Sequence, residues 1–132
     1  MIYQRKCVEM TLEELKASCM VWQERLRLQD WEIRLFISRH TLMDPDTSGN
    51  CRVIPRLKIA DIHLIDPVDS ECMVGSTYDM EKTLVHELLH ALYWDCSPPE
   101  ENAFATMVLE QAIEFTAMAL VAAYRKDDEP AS

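Results

Sequence analysis

Glycine is scarce in this chain, with two in 132 residues. A P-loop or a dinucleotide-binding turn needs more glycine than that, so both are excluded. Basic residues are outnumbered: 13 Lys and Arg stand against 23 Asp and Glu, for a formal net charge of -10. Such a surface repels phosphate backbones, and nucleic acid is not an expected partner. Solubility is reason enough for the acidity. Cys7, Cys19, Cys51, Cys72 and Cys96 form no CxxC pair, which argues against a zinc knuckle or a thioredoxin-type motif. The opening MIYQRKCVEM has no apolar core of a signal peptide. No apolar run approaches the roughly 18 residues of a membrane span. These absences together predict a cytoplasmic protein with free thiols and no membrane partner.

What is present suits one ordinary domain. Hydrophobic residues make up 48% of the sequence, enough for a core. The domain is expected over residues 1–126, with 127–132 as a flexible tail. Thr11 and Glu14 form a T-x-x-E capping box at the start of a helix over residues 11–28. Leu12, Leu15, Cys19, Trp22 and Leu26 follow at helical spacing and make it one-sided. Trp31, Ile33, Leu35 and Ile37 alternate with Glu32, Arg34 and Ser38, which predicts a strand. MDPDTSGN reads as a turn. Asp44, Asp46, Ser48 and Gly49 resemble the start of a calcium loop, but Pro55 stands where the bidentate Glu belongs. One or two strands follow, broken at Pro55, with residues 57–65 the better candidate. A loop covers 68–79, a helix runs from an Asp79 cap to about Tyr93 or Trp94, and Pro98 and Pro99 precede a last helix over 100–125. The predicted class is α+β: an N-terminal helix, a small and mostly antiparallel sheet of about three strands, and two helices at the C-terminal end.

The stretch TLVHELLHAL, residues 83–92, carries the chemistry. His86 and His90 lie one helical turn apart, with Cα atoms about 6 Å apart at a rise of 1.5 Å per residue. Two imidazoles so placed can converge on one ion at about 2.0–2.1 Å. Glu87 projects about 100° round the axis from His86 and cannot easily join them as a ligand. It can reach a water on the same ion, which is the logic of H-E-x-x-H: two ligands and a general base. Leu84, Val85, Leu88, Leu89, Ala91 and Leu92 make this helix apolar nearly all round, so it is expected to be buried. Buried His and Glu need partners, and a metal supplies them.

A catalytic zinc normally takes a third protein ligand. The extended motif with Gly and His further on fails here, because Tyr93 and Cys96 occupy those positions. The last helix offers an alternative. Ala103, Met107, Glu110, Glu114, Ala117 and Val121 share a stripe that is apolar except for two carboxylates. Glu110 is the candidate third ligand, and Glu114 the candidate partner of a ligand histidine. Glu100 and Glu101 suit a helix start and need no metal.

HELLH at 86–90 and EQAIE at 110–114 resemble the gluzincin clan of zinc metallopeptidases. Twenty residues separate His90 from Glu110, as in the thermolysin-like spacing. The sequence departs from that pattern with Leu109 in place of Asn and Glu114 in place of Asp. More broadly, WQERLRLQDWEIRL, ADIHLIDP, TLVHELLHAL and EQAIEFTAMAL resemble small metallopeptidase-like proteins of bacteriophage and bacterial genomes, with minigluzincins and SprT-like domains as neighbours. The resemblance implies one zinc ion, a peptide or protein substrate, and a cytoplasmic setting in a bacterium or an infected host cell. It also implies a helix packed on a short sheet whose edge strand lies beside the zinc, a role for which residues 57–65 are the candidate. Thermolysin-like enzymes stabilise the oxyanion from a C-terminal lobe, so the candidates for that task here are Tyr78, Tyr93, Tyr124, His63 or an arginine. A zinc-containing regulatory or binding module without proteolysis is the alternative function. The sequence leaves the oligomeric state open.

Overall fold

The computed structural model describes residues 2–72 and 77–128. Helix α1 spans Leu12–Arg25, strand β1 Glu32–Ser38, β2 Gly49–Ile54 and β3 Ile59–Ile65, followed by helix α2 over Met80–Leu92 and α3 over Ala103–Asp128. The architecture is α+β, as expected.

The capping box forms: the Thr11 hydroxyl accepts from the Glu14 N–H at 3.2 Å, and the Glu14 carboxylate accepts from the Thr11 N–H at 3.0 Å. Leu15, Cys19 and Trp22, spaced four and three apart, bury one face of α1. The helix ends at Arg25, three residues short of the expected 28, with Leu26 as its C-cap and Arg27 turning the chain at a left-handed φ of 61°.

The sheet order is β1-β3-β2, with β1 parallel to β3 and β2 antiparallel to it. The sheet is therefore mixed rather than mostly antiparallel. Pro55 breaks the chain into two strands as expected, through a 3-10 turn at Pro55–Leu57 and a left-handed Lys58. The expected edge strand is corrected: β3 is central, paired on both sides, and β2 is the edge that lies against α2. Ile33, Leu35 and Ile37 of β1 line up with Ala60, Ile62 and Leu64 of β3 on the face toward the helices. Phe36 and His63 stack on the opposite face, 4.6 Å between ring centres.

Helix α2 is the centre of the core: Leu84, Val85, Leu88 and Leu89 are all buried between the sheet, α1 and α3. Burying four such side chains contributes roughly 1.5–3 kcal/mol each. The last helix begins later than expected. Pro98 and Pro99 lie outside it, and the Asn102 side chain caps it by accepting from the Ala105 N–H at 2.9 Å. It also runs on through Asp128, so two residues of the expected tail are helical, while 129–132 lie outside the described residues, as does 73–76 of the expected loop. The expectation that nothing approaches membrane-span length meets one exception. An 18-residue window of α3 is apolar enough, by length and composition, to cross a bilayer.

Candidate metal centre

The site sits where α2, α3 and the start of β2 meet. Asp79 fixes the N-terminal end of α2: its carboxylate caps the Lys82 N–H at 3.1 Å and accepts from Tyr3 Oη at 2.8 Å. Arg125 of α3 grips the same carboxylate in two hydrogen bonds, at 2.7 and 2.9 Å, and reaches Glu81 at 3.0 Å. Val8 adds a bridge across the same end, donating to the Tyr78 carbonyl and accepting from Met80. These contacts fix the relation of α2 to α3.

One turn further along α2, Lys82 donates to both oxygens of Glu114 at 3.1 and 2.9 Å. Glu114 in turn holds His86 Nδ1 at 3.0 Å. His86 Nε2 faces Glu110 Oε1 at 2.6 Å, and His90 Nε2 faces Glu110 Oε2 at 3.0 Å. The His86 and His90 rings lie 5.1 Å apart. One ligand atom from each of His86, His90 and Glu110 lies within 4.8 Å of the others. Both histidines thus present Nε2 to the same point, with Nδ1 of His86 already engaged.

Glu87 has the opposite environment. It is 5% exposed, and no hydrogen-bond partner for it occurs among the described residues. Burial pushes its carboxyl up to about 7, despite the nearby imidazoles of His86 and His90. It borders a cavity of about 190 Å³ shared with His86, Glu110, Glu114, Lys82 and Gly49. Burial alone would lower the His86 pKa, but the Glu110 and Glu114 carboxylates overrule it and raise the group to about 9. His86 and His90 hold Glu110 well below the carboxylate range, and His86 and then Lys82 do the same for Glu114 against the cost of burial.

The start of β2 closes one wall. A Cβ at Gly49 would lie 2.8 Å from Thr83 Cγ2 and 3.1 Å from Glu87 Oε2, so only glycine lets the edge strand come this close. Sequence reasoning missed this role for Gly49, as it missed Lys82. The i, i+4 spacing of Lys82 to His86 was the available signal.

The structure brings together His86, Glu87, His90, Glu110 and Glu114. It keeps other candidates apart. Tyr93 closes α2 and is exposed, outside the cavity lining. Tyr78 is buried and donates to the Ile65 carbonyl at 2.6 Å. Tyr124 lies against Trp22 and Arg25. His63 bonds Ser38 on the far face of the sheet. Cys96 is exposed in the short turn Trp94–Cys96 beyond the end of α2. The turn at Asp44 closes on Thr47, which donates to the Asp44 carbonyl at 2.7 Å. It joins no metal-ligand cluster among the described residues. The stripe of α3 is buried at Ala117 and Val121 but exposed at Ala103 and Met107. Comparison with family models, curated proteins and solved structures returns no match.

Proposed function

We propose that this protein is a zinc-dependent metallopeptidase. The observation that carries the reading is one geometry: a His₂Glu donor set beside a buried carboxylate with no hydrogen-bond partner among the described residues. The donor chemistry fits a zinc ion, since two Nε2 atoms and a carboxylate are a common catalytic set. His86, His90 and Glu110 would hold the ion. When bound, such an ion supplies a Lewis acid and a water acidified towards pH ~7.

The chain's own residues supply the rest. Glu87 takes a proton from the attacking water at a carboxylate oxygen and returns it to the leaving amine nitrogen. A carboxyl raised to about 7 suits both halves of that exchange near neutral pH. Lys82 holds Glu114, and Glu114 holds His86 Nδ1, so the ring is fixed with Nε2 toward the site. The edge strand β2 offers unpaired backbone groups beside Glu87, where an extended peptide can add as a further strand. The exposed, free thiols of Cys7 and Cys96 are in keeping with action in a reducing cytoplasm.

The test is Glu87→Gln. The variant is expected to keep stoichiometric zinc and to lose cleavage of a denatured protein substrate. Cleavage at the wild-type rate would overturn the mechanism. A second reading, a zinc-containing binding module that cleaves nothing alone, is favoured by one observation: Tyr78, Tyr93, Tyr124 and His63 all lie outside the cavity lining. Cleavage by the isolated wild-type protein would dismiss it.

A further inference from the structure

A second cavity adjoins the metal centre. It encloses about 240 Å³, and Tyr3, Arg5, Ser48, Thr77, Asp79 and Lys82 are among its lining residues. Ser48, Lys82, Thr83 and Glu114 line both this cavity and the one beside Glu87, so the two are neighbours along α2.

The polar groups of the second cavity are unevenly matched. Its carboxylates are saturated. Each Asp79 oxygen accepts one hydrogen bond from Arg125 and a second from either Tyr3 Oη or the Lys82 N–H. Both Glu114 oxygens accept from Lys82, and one of them also meets His86 Nδ1. Donors are in surplus. The Arg5 guanidinium and the hydroxyls of Ser48 and Thr77 have no hydrogen-bond partner among the described residues. A guanidinium carries five N–H donors and no acceptor. A group that fills this cavity must therefore bring acceptors. A carboxylate fits best, because its two oxygens match the planar fork of an arginine and leave lone pairs for the hydroxyls.

The position suits a substrate that already lies on the metal. His86 and His90 straddle the level of Leu88, whereas Asp79, Lys82 and Thr83 set the second cavity near the level of Glu81. At 1.5 Å per residue those levels are roughly 10 Å apart along the helix. An extended peptide covers that in about three residues at 3.3–3.6 Å each.

We propose that Arg5, with Ser48 and Thr77, selects peptides carrying a carboxylate about three residues from the bond cut at the metal. The proposal rests on the metallopeptidase reading for the cut, but not for the binding. The carboxylate is either an acidic side chain or the free C-terminus of a short peptide, and both present the same two oxygens to Arg5.

Three sets of randomised short peptides test this on the zinc-loaded full chain. The first has no Asp or Glu and an amidated C-terminus, the second the same sequences with a free C-terminus, and the third an amidated C-terminus and one Glu. Mass spectrometry of the products is expected to show kcat/KM at least ~10-fold higher for the second or third set than for the first, the size of one charge-assisted hydrogen bond. Which set gains identifies the source of the carboxylate. Arg5→Met is expected to remove the gain, and Arg5→Glu to shift preference to peptides with one Lys, with the circular dichroism spectrum retained in both. Fluorescence anisotropy of the same peptides, labelled, on zinc-loaded Glu87→Gln protein reads binding without cleavage and is expected to give the same order. Equal cleavage or binding of all three sets, or a carboxylate preference that survives Arg5→Met, would sink the proposal. If nothing is cut while the binding order holds, the carboxylate site stands and the peptidase reading falls.

Discussion

Replacing Glu87 by Gln should stabilise the protein once bound metal has been removed with a chelator, and it should do so in a pH-dependent way. Glu87 is 5% exposed and its carboxyl is raised from 4.5 to about 7 by burial. A difference of that size corresponds to about 3 kcal/mol between the two protonation states. The unfolded chain ionises this group near pH 4.5, and the folded protein near 7. Between those values the folded state holds the extra proton, so stability falls as pH rises. Below pH 4.5 the group is protonated in both states and nothing is lost; above pH 7 the whole cost is present. Gln carries no charge and removes it. The variant is therefore expected to gain under 1 kcal/mol at pH 5 and about 3 kcal/mol at pH 8. For a chain of this length that is a rise in Tm of about 10 °C at pH 8. Differential scanning calorimetry at the two pH values reads the gain directly. A variant no more stable than wild type at pH 8, or equally stabilised at both values, would refute the view that Glu87 is a buried acid held at the expense of stability.

Three further perturbations follow from the same contacts. Glu114→Ala frees His86 Nδ1 and is expected to weaken zinc binding by about 10- to 100-fold in a competition titration, with the fold retained. Arg125→Met leaves the Asp79 carboxylate, 1% exposed, without its bidentate partner; chemical denaturation is expected to show a loss of about 3–5 kcal/mol, and Asp79→Asn in the same chain should recover much of it. Gly49→Ala drives a methyl into Thr83 and Glu87; the expected cost is about 1–3 kcal/mol, with β2 moved away from α2.

Local signals in the sequence were good guides where the structure is locally determined. The Thr11 capping box, the alternation in β1, the break at Pro55 and the buried face of α2 all depend on neighbours in the chain. Glu110 and Glu114 were legible because two carboxylates in an apolar stripe need a partner, and His86 meets both. Strand order was not legible. Residues 57–65 suit an edge or a centre equally well, and the pairing of β3 with both β1 and β2 depends on contacts far apart in sequence. The helix start was misplaced because two prolines outweighed a single Asn102. The i, i+4 spacing of Lys82 to His86 places it on the site's face of α2, but its partner, Glu114, is 32 residues away in the chain.

The central claim is that α2 and α3 bring His86, His90 and Glu110 onto a single cation. Anomalous scattering at the zinc absorption edge, from crystals of tag-free protein, tests it most directly. The account predicts one strong peak about 2.0–2.2 Å from Nε2 of His86, Nε2 of His90 and a carboxylate oxygen of Glu110. A zinc-supplemented crystal with no peak there, or with those three side chains turned to separate places, would contradict it.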